Sequence, residues 1–209
     1  IMNYGYEQPE MLLVPLTLPS NFSADSLTIA ATAHWLVCAD TCIPQQGDFS
    51  LTLAVAKNAK TANSSAFNAA RLSMPKHTNN GKGAYTTDET HLKLHLQLPD
   101  AAFSDWQNLR LFPAQPDLID HAAAQSLFIK KNELYASILL NEYFEELPAR
   151  TDWVLTATDK NGHHQAIAYT LQSSKHPFWP NTNKLENFTL VHTPSAAELS
   201  SLPNSISEE

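Results

Sequence analysis

The chain has 209 residues, 43% of them hydrophobic, which is enough for a real core in one or two domains. Its formal charge of −8, from 13 basic against 21 acidic residues, argues against a nucleic-acid or anionic-membrane surface, where a basic stripe is expected. No run of about 18 apolar residues is present to span a bilayer.

The chain opens at Ile1 with no basic segment leading into an apolar stretch, and is expected to be an excised or processed piece of a longer protein. Met11 to Leu18 is apolar but broken by Pro15, which suggests an edge strand or a bulge. From Ser26 to Val37, Leu27, Ile29, Ala31, Ala33, Trp35 and Val37 alternate with Thr28, Ala30, Thr32 and His34, predicting a long strand with one buried face. Phe49, Leu51, Leu53 and Val55 predict the returning strand. Ser64–Met74 is the best helix candidate, capped by Ser64 or Ser65, showing Phe67, Ala70 and Leu72 on one face and stopped by Pro75. Residues 77–87 read as a polar loop. Leu92, Leu94, Leu96 and Leu98 alternate with His91, Lys93, His95 and Gln97, a half-buried strand that leaves the histidines at the surface. Further strands are expected at Asn108–Phe112, Ser126–Lys131, Glu133–Leu140, Trp153–Thr158 and Gln165–Gln172, the last two joined by the turn Asp159-Lys160-Asn161-Gly162. Beyond Ser173 no period is sustained. The sequons at Asn21, Asn63 and Asn187 are as frequent as chance allows in a chain rich in Asn, Ser and Thr.

The predicted fold is all-β: immunoglobulin-like antiparallel β-sandwich units with at most one or two short helices. Its expected divisions are a β unit at 1–60, shortened on its N-terminal side, a second antiparallel unit at 61–172, and a polar tail or linker at 173–209.

Cys38 and Cys42 are the only cysteines, separated by Ala39-Asp40-Thr41. A disulfide needs Cα atoms roughly 4.4–6.8 Å apart, whereas residues four apart on an extended strand lie about 13 Å apart, so the three residues between them must turn if the sulfurs are to meet. Val37 and Ile43 flank that turn, and Pro44 restricts the backbone just after it. Closing so short a loop stabilises by only roughly 2 kcal/mol, so three readings stand: a local staple, two inert thiols, or a pair that exchanges its disulfide with a partner. Two closely spaced cysteines fit an oxidising compartment. Asp40 either favours the turn or raises a neighbouring thiol pKa. Tyr4 and Tyr6, flanking Gly5, are weighed equally as strand packing and as an aromatic cover for the cysteine loop. Trp35 is expected in the core rather than over the loop. His34-x3-Cys38-x3-Cys42 offers soft ligands for copper or zinc, but no second pair completes a set of four, so no metal and no organic cofactor is expected. No Gly-rich phosphate loop, G-x-S-x-G or H-E-x-x-H occurs.

Several segments carry a family resemblance. Asn3-Tyr4-Gly5-Tyr6-Glu7, Leu13-Val14-Pro15-Leu16-Thr17, Trp35-Leu36-Val37-Cys38 with Cys42-Ile43-Pro44, and Leu111-Phe112-Pro113 followed by Ile119-Asp120-His121-Ala122 resemble the periplasmic N-terminal region of the DsbD/ScsB-type protein-disulfide reductases. The resemblance covers about 1–172. It implies an immunoglobulin-like module in the periplasm, the soluble part of an inner-membrane protein, with Cys38 and Cys42 as its redox-active disulfide pair. Electrons would arrive from the membrane domain of the parent protein and leave to thioredoxin-like or disulfide isomerase partners, chemistry that also serves cytochrome c biogenesis. It further implies Cys42 as the sulfur that meets the partner and Cys38 as the resolving one; the residues themselves offer Asp40, Tyr4, Tyr6, Trp35 and Pro44 as candidates for a supporting role. The chain departs from the family in lacking the preceding β segment, the membrane domain and the thioredoxin-like domain. The alternative is a non-catalytic β-sandwich interaction or copper-handling module whose cysteines are a staple or ligands.

Overall fold

The computed structural model describes residues 4–6, 9–39, 41–56, 58, 63–78, 82–98, 106–176, 178–180 and 188–193. Asp40, Asn187 and the residues beyond 193 lie outside them. The chain forms two compact units, Pro9–Ser73 and a second made of Ile1–Gln8 with Met74–Glu209. The all-β expectation holds, with one helix among the described residues.

In the first unit, β1 (Ser26–Cys38) and β2 (Cys42–Ala54) pair antiparallel along their whole lengths, from Ser26 opposite Ala54 to Cys38 opposite Cys42. The returning strand therefore begins at Cys42, well before Phe49. Pro44 does not interrupt it, and the ladder explains why. Cys38 and Cys42 are only 4.0 Å apart at Cα, the short spacing of a non-hydrogen-bonded pair. By alternation Leu36 opposite Pro44 is such a pair too, so the N–H that proline lacks would have pointed away from β1. The expectation of a buried face fails here: no residue of either strand is buried. Met11–Leu18 is not a strand, because Pro15 and the neighbouring Pro19 remove ladder donors. Helix α1 runs over Ser64–Ser73, and of its expected apolar face only Ala70 is buried.

The second unit is a nine-stranded sheet. Its strands are β3 (Lys76–His77), β4 (Gly83–Thr87), β5 (His91–Gln97), β6 (Gln107–Pro113), β7 (Gln125–Lys130), β8 (Glu133–Leu139), β9 (Arg150–Thr158), β10 (His164–Ser173) and β11 (Thr189–His192). The order is β11-β7-β8-β5-β4-β10-β9-β6, with β3 alongside β10. Residues read as a loop at 77–87 thus supply strands. Gly83 permits this: a Cβ there would run into the carbonyl oxygen of His95, so only glycine lets β4 lie this close to β5. The leucine alternation is as expected, with Leu92, Leu94 and Leu96 fully buried. They join Leu134, Ala136 and Ile138 of β8, Leu109 and Leu111 of β6, and Trp153 and Leu155 of β9 in one core, so the sheet folds over itself as a sandwich closing towards a barrel.

Gln125 completes that closure. Its side-chain Oε1 accepts from Leu111 N (2.9 Å) and its Nε2 donates to Leu111 O (2.8 Å). The buried amide thus stands in for a strand residue against terminal strand β6. Its backbone N donates to Thr193 Oγ1 (2.8 Å), and Thr193 N donates back to Gln125 O (3.1 Å).

The segment read as a polar tail is structured where it is described. β11 pairs with β7, and Phe178, Trp179 and Phe188 pack over the face of β5, β8 and β7 that points away from the core. Trp179 meets Tyr135 (5.9 Å) and Phe128 (6.1 Å) edge-on, and Phe188 meets Tyr135 at 5.6 Å. His95 stacks on Tyr135 at 4.5 Å and is not a surface histidine: its Nε2 is buried without a hydrogen-bond partner. The sequence pattern correctly assigned His95 to the outer face, but three aromatic rings far along the chain decide that this face is covered. Burial lowers the His95 pKa, with the Glu133 charge working against the shift.

Candidate redox site

Alternation along the ribbon sorts its side chains cleanly. One face carries Leu27, Ile29, Ala31, Ala33, Trp35 and Val37 opposite Leu53, Leu51, Phe49, Gly47, Gln45 and Ile43. The other carries Thr28, Ala30, Thr32, His34, Leu36 and Cys38 opposite Thr52, Ser50, Asp48, Gln46, Pro44 and Cys42. Polar cross-strand contacts mark this second face: Thr28 and Thr52 hydroxyls lie 2.9 Å apart, and Thr32 Oγ1 donates to Asp48 at 2.7 Å.

The two cysteines form a disulfide (S–S 2.06 Å) at the tip of the polar face. Both cysteines are exposed residues. The connection between them is the shortest part of the ribbon, with Ala39 N donating to Thr41 O at 3.4 Å. Around the pair stand Leu36 and Pro44, the next residues back on the same face, and then His34 and Gln46. Together with Trp35 and Gln45 they line a shallow hollow.

The supporting residues fare differently. Pro44 is beside the disulfide. Trp35 is neither core nor cover: it is 41% exposed on the opposite, apolar face, and its Nε1 donates to Gln45 Oε1 at 2.9 Å. Tyr6 is 71% exposed. Tyr4 packs within its own unit, edge-on to Phe112 (5.2 Å) and His121 (5.5 Å). Asp40 lies outside the described residues. Leu36 and Gln46 were missed as neighbours of the disulfide, although the register Cys38 opposite Cys42 would have placed them by counting in twos.

Two segments singled out in the sequence nonetheless meet. His121 Nε2 donates to Pro116 O (3.1 Å), and its Nδ1 shares a hydrogen bond with the Tyr4 hydroxyl (3.1 Å). Arg110 Nη2 donates to His121 O (2.7 Å) and its guanidinium lies 5.9 Å from the Phe112 ring centre. Burial raises the Tyr4 pKa, partly offset by Arg110. This is a clamp holding an N-terminal residue to β6 and the loop after it.

Among the described residues no three His, Cys, Asp or Glu side chains gather as a metal site, and no helix is long and apolar enough to cross a membrane. No family model, curated protein or solved structure matches the chain.

Proposed function

We propose that this chain is a periplasmic thiol–disulfide exchange module of a DsbD/ScsB-type protein-disulfide reductase, passing electrons from a membrane domain to periplasmic disulfide partners through Cys38 and Cys42. The observation that carries this reading is the exposed disulfide at a ribbon tip, closing a loop too short to be much of a staple.

The chemistry balances as two successive exchanges. A thiolate of the donor dithiol attacks Cys42 Sγ, the Cys38–Cys42 bond breaks, and the Cys38 thiolate leaves and takes up a proton. The donor's second thiolate then attacks the mixed disulfide, so the donor departs oxidised and the pair holds two electrons. Cys42 thiolate next attacks a partner disulfide, releasing one partner thiolate. Cys38, deprotonated, attacks Cys42 Sγ, which restores the intramolecular bond and frees the partner as a dithiol. Leu36 and Pro44 give the disulfide an apolar collar on which a partner can rest.

The test is trapping with an oxidised thioredoxin-like disulfide isomerase as probe. Reduced Cys38→Ser, with Cys42 intact and no resolving sulfur, is expected to accumulate the mixed disulfide, and Cys42→Ser to accumulate much less. An adduct with Cys42→Ser alone would reverse the roles of the two sulfurs. No adduct with either variant would remove the exchange reading.

A further inference from the structure

The apolar face of the β1–β2 ribbon has no role in the exchange chemistry, since the cysteines point from the other side. We propose that it is a self-association surface, covered by the same face of a second copy of this chain.

Four observations lead there. Trp35, Val37, Ile43, Phe49, Leu51 and Leu53 are each between 41% and 59% exposed and lie in an unbroken row of cross-strand partners. Such a contiguous apolar surface marks an interaction site, and a two-stranded ribbon by itself is marginally stable in water. Secondly, the face holds no ionisable side chain, and the one polar pair on it is already joined, Trp35 Nε1 donating to Gln45 Oε1. Drying it therefore leaves the Gln45 amide N–H groups as the side-chain donors that need a new partner, and Gln45 of the second copy can offer its carbonyl oxygen to them. The matching surface must be equally apolar and uncharged, and in a chain of net charge −8 this face meets that description itself.

Thirdly, the shape is self-complementary. The Phe49 and Trp35 rings lean over Gly47, 3.1 and 3.3 Å from where a Cβ would stand, so the middle of β2 stands high, with Trp35 reaching across from β1. Ala31 and Ala33 leave β1 low beside it. A two-fold axis running along the ribbon lays β1 of one copy over β2 of the other, setting alanines against the raised middle on both sides. Fourthly, the area suffices. The ribbon is about 40 Å long and about 10 Å wide, so covering it on two copies removes on the order of 800 Å², the size of a weak, reversible contact rather than of an obligate one. Both disulfide tips remain open in that arrangement, because they lie on the outer faces.

Sedimentation equilibrium of the full chain across micromolar to submillimolar concentrations tests this. A reversible dimer is expected. Leu51→Lys, which puts a charge in the centre of the covered face, is expected to weaken it at least about 100-fold. Thr52→Lys, one residue away on the polar face, is expected to leave it intact, which controls for damage to the ribbon. A wild-type chain that stays monomeric throughout overturns the proposal. So does a monomer whose face binds a hydrophobic dye in the wild type and not in Leu51→Lys, which would assign the face to a different partner. A dimer insensitive to Leu51→Lys overturns it as well.

Discussion

Gln125 shows how one polar side chain can hold a sheet together. Its amide satisfies both backbone groups of Leu111, so replacing it with leucine leaves a buried N–H and a buried C=O unpaired. The expected cost is about 2–6 kcal/mol, since each of the two orphaned buried groups costs about 1–3 kcal/mol, read as a lower urea midpoint. An unchanged midpoint would show that the bridge contributes nothing. At Gly47 the restriction is steric: Gly47→Val would thrust methyls into the Phe49 and Trp35 rings, and a changed tryptophan emission is the expected sign that the rings move. An unaltered spectrum would deny that contact. Neither role was legible in the sequence. Gln125 and Gly47 lie just outside the strands that the alternation predicts, and only the observed register and strand β6 set their neighbours.

Strand β5 shows the opposite case and its limit. The leucine period fixed which face meets the core, and the structure agrees residue by residue. Whether the other face meets water is not written in β5, because Phe178, Trp179 and Phe188 come from a stretch without any period. Lys93 and Lys130 lie over the Trp179 and Phe188 rings at 5.0 and 5.4 Å, continuing the cover. His95 makes it pH-dependent. Its folded pKa lies below the ordinary 6.5, so the unfolded chain takes up a proton first as pH falls. Stability is fully present above about pH 6.5 and declines below it until the folded ring is protonated too. His95→Gln is expected to flatten that decline, measured as urea midpoint against pH. A variant that keeps the wild-type slope below about pH 6.5 would assign the decline to another group. The carboxylate of Asp88 acts in a separate, more acidic window. Although partial burial works against it, the N–H groups of Thr90 and His91 and the Lys93 ammonium hold its pKa below 3.8.

At the scale of the whole molecule, the all-β fold, most strand positions and the cysteine turn were legible because period-two alternation reports a buried face directly. The ribbon misled for a physical reason: alternation announces an apolar face but not what covers it, and this one is exposed. The candidate site was legible as a pair of cysteines at a strand end and illegible as surroundings, since Trp35 turned to the far face and Tyr4 to Phe112 and His121. The same two-unit organisation that places the core in the nine-stranded sheet leaves the disulfide on a ribbon without buried residues. The fold therefore asks little of that bond, which is what the proposed exchange requires. Redox titration of the native chain against glutathione and dithiothreitol buffers, with thiol trapping to count free sulfurs, tests this most directly. The expected result is rapid two-electron reduction in the folded state, at a potential of roughly −180 to −270 mV, among the disulfide-handling oxidoreductases. Slow reduction at a potential below about −300 mV would mark a structural staple and contradict the exchange function.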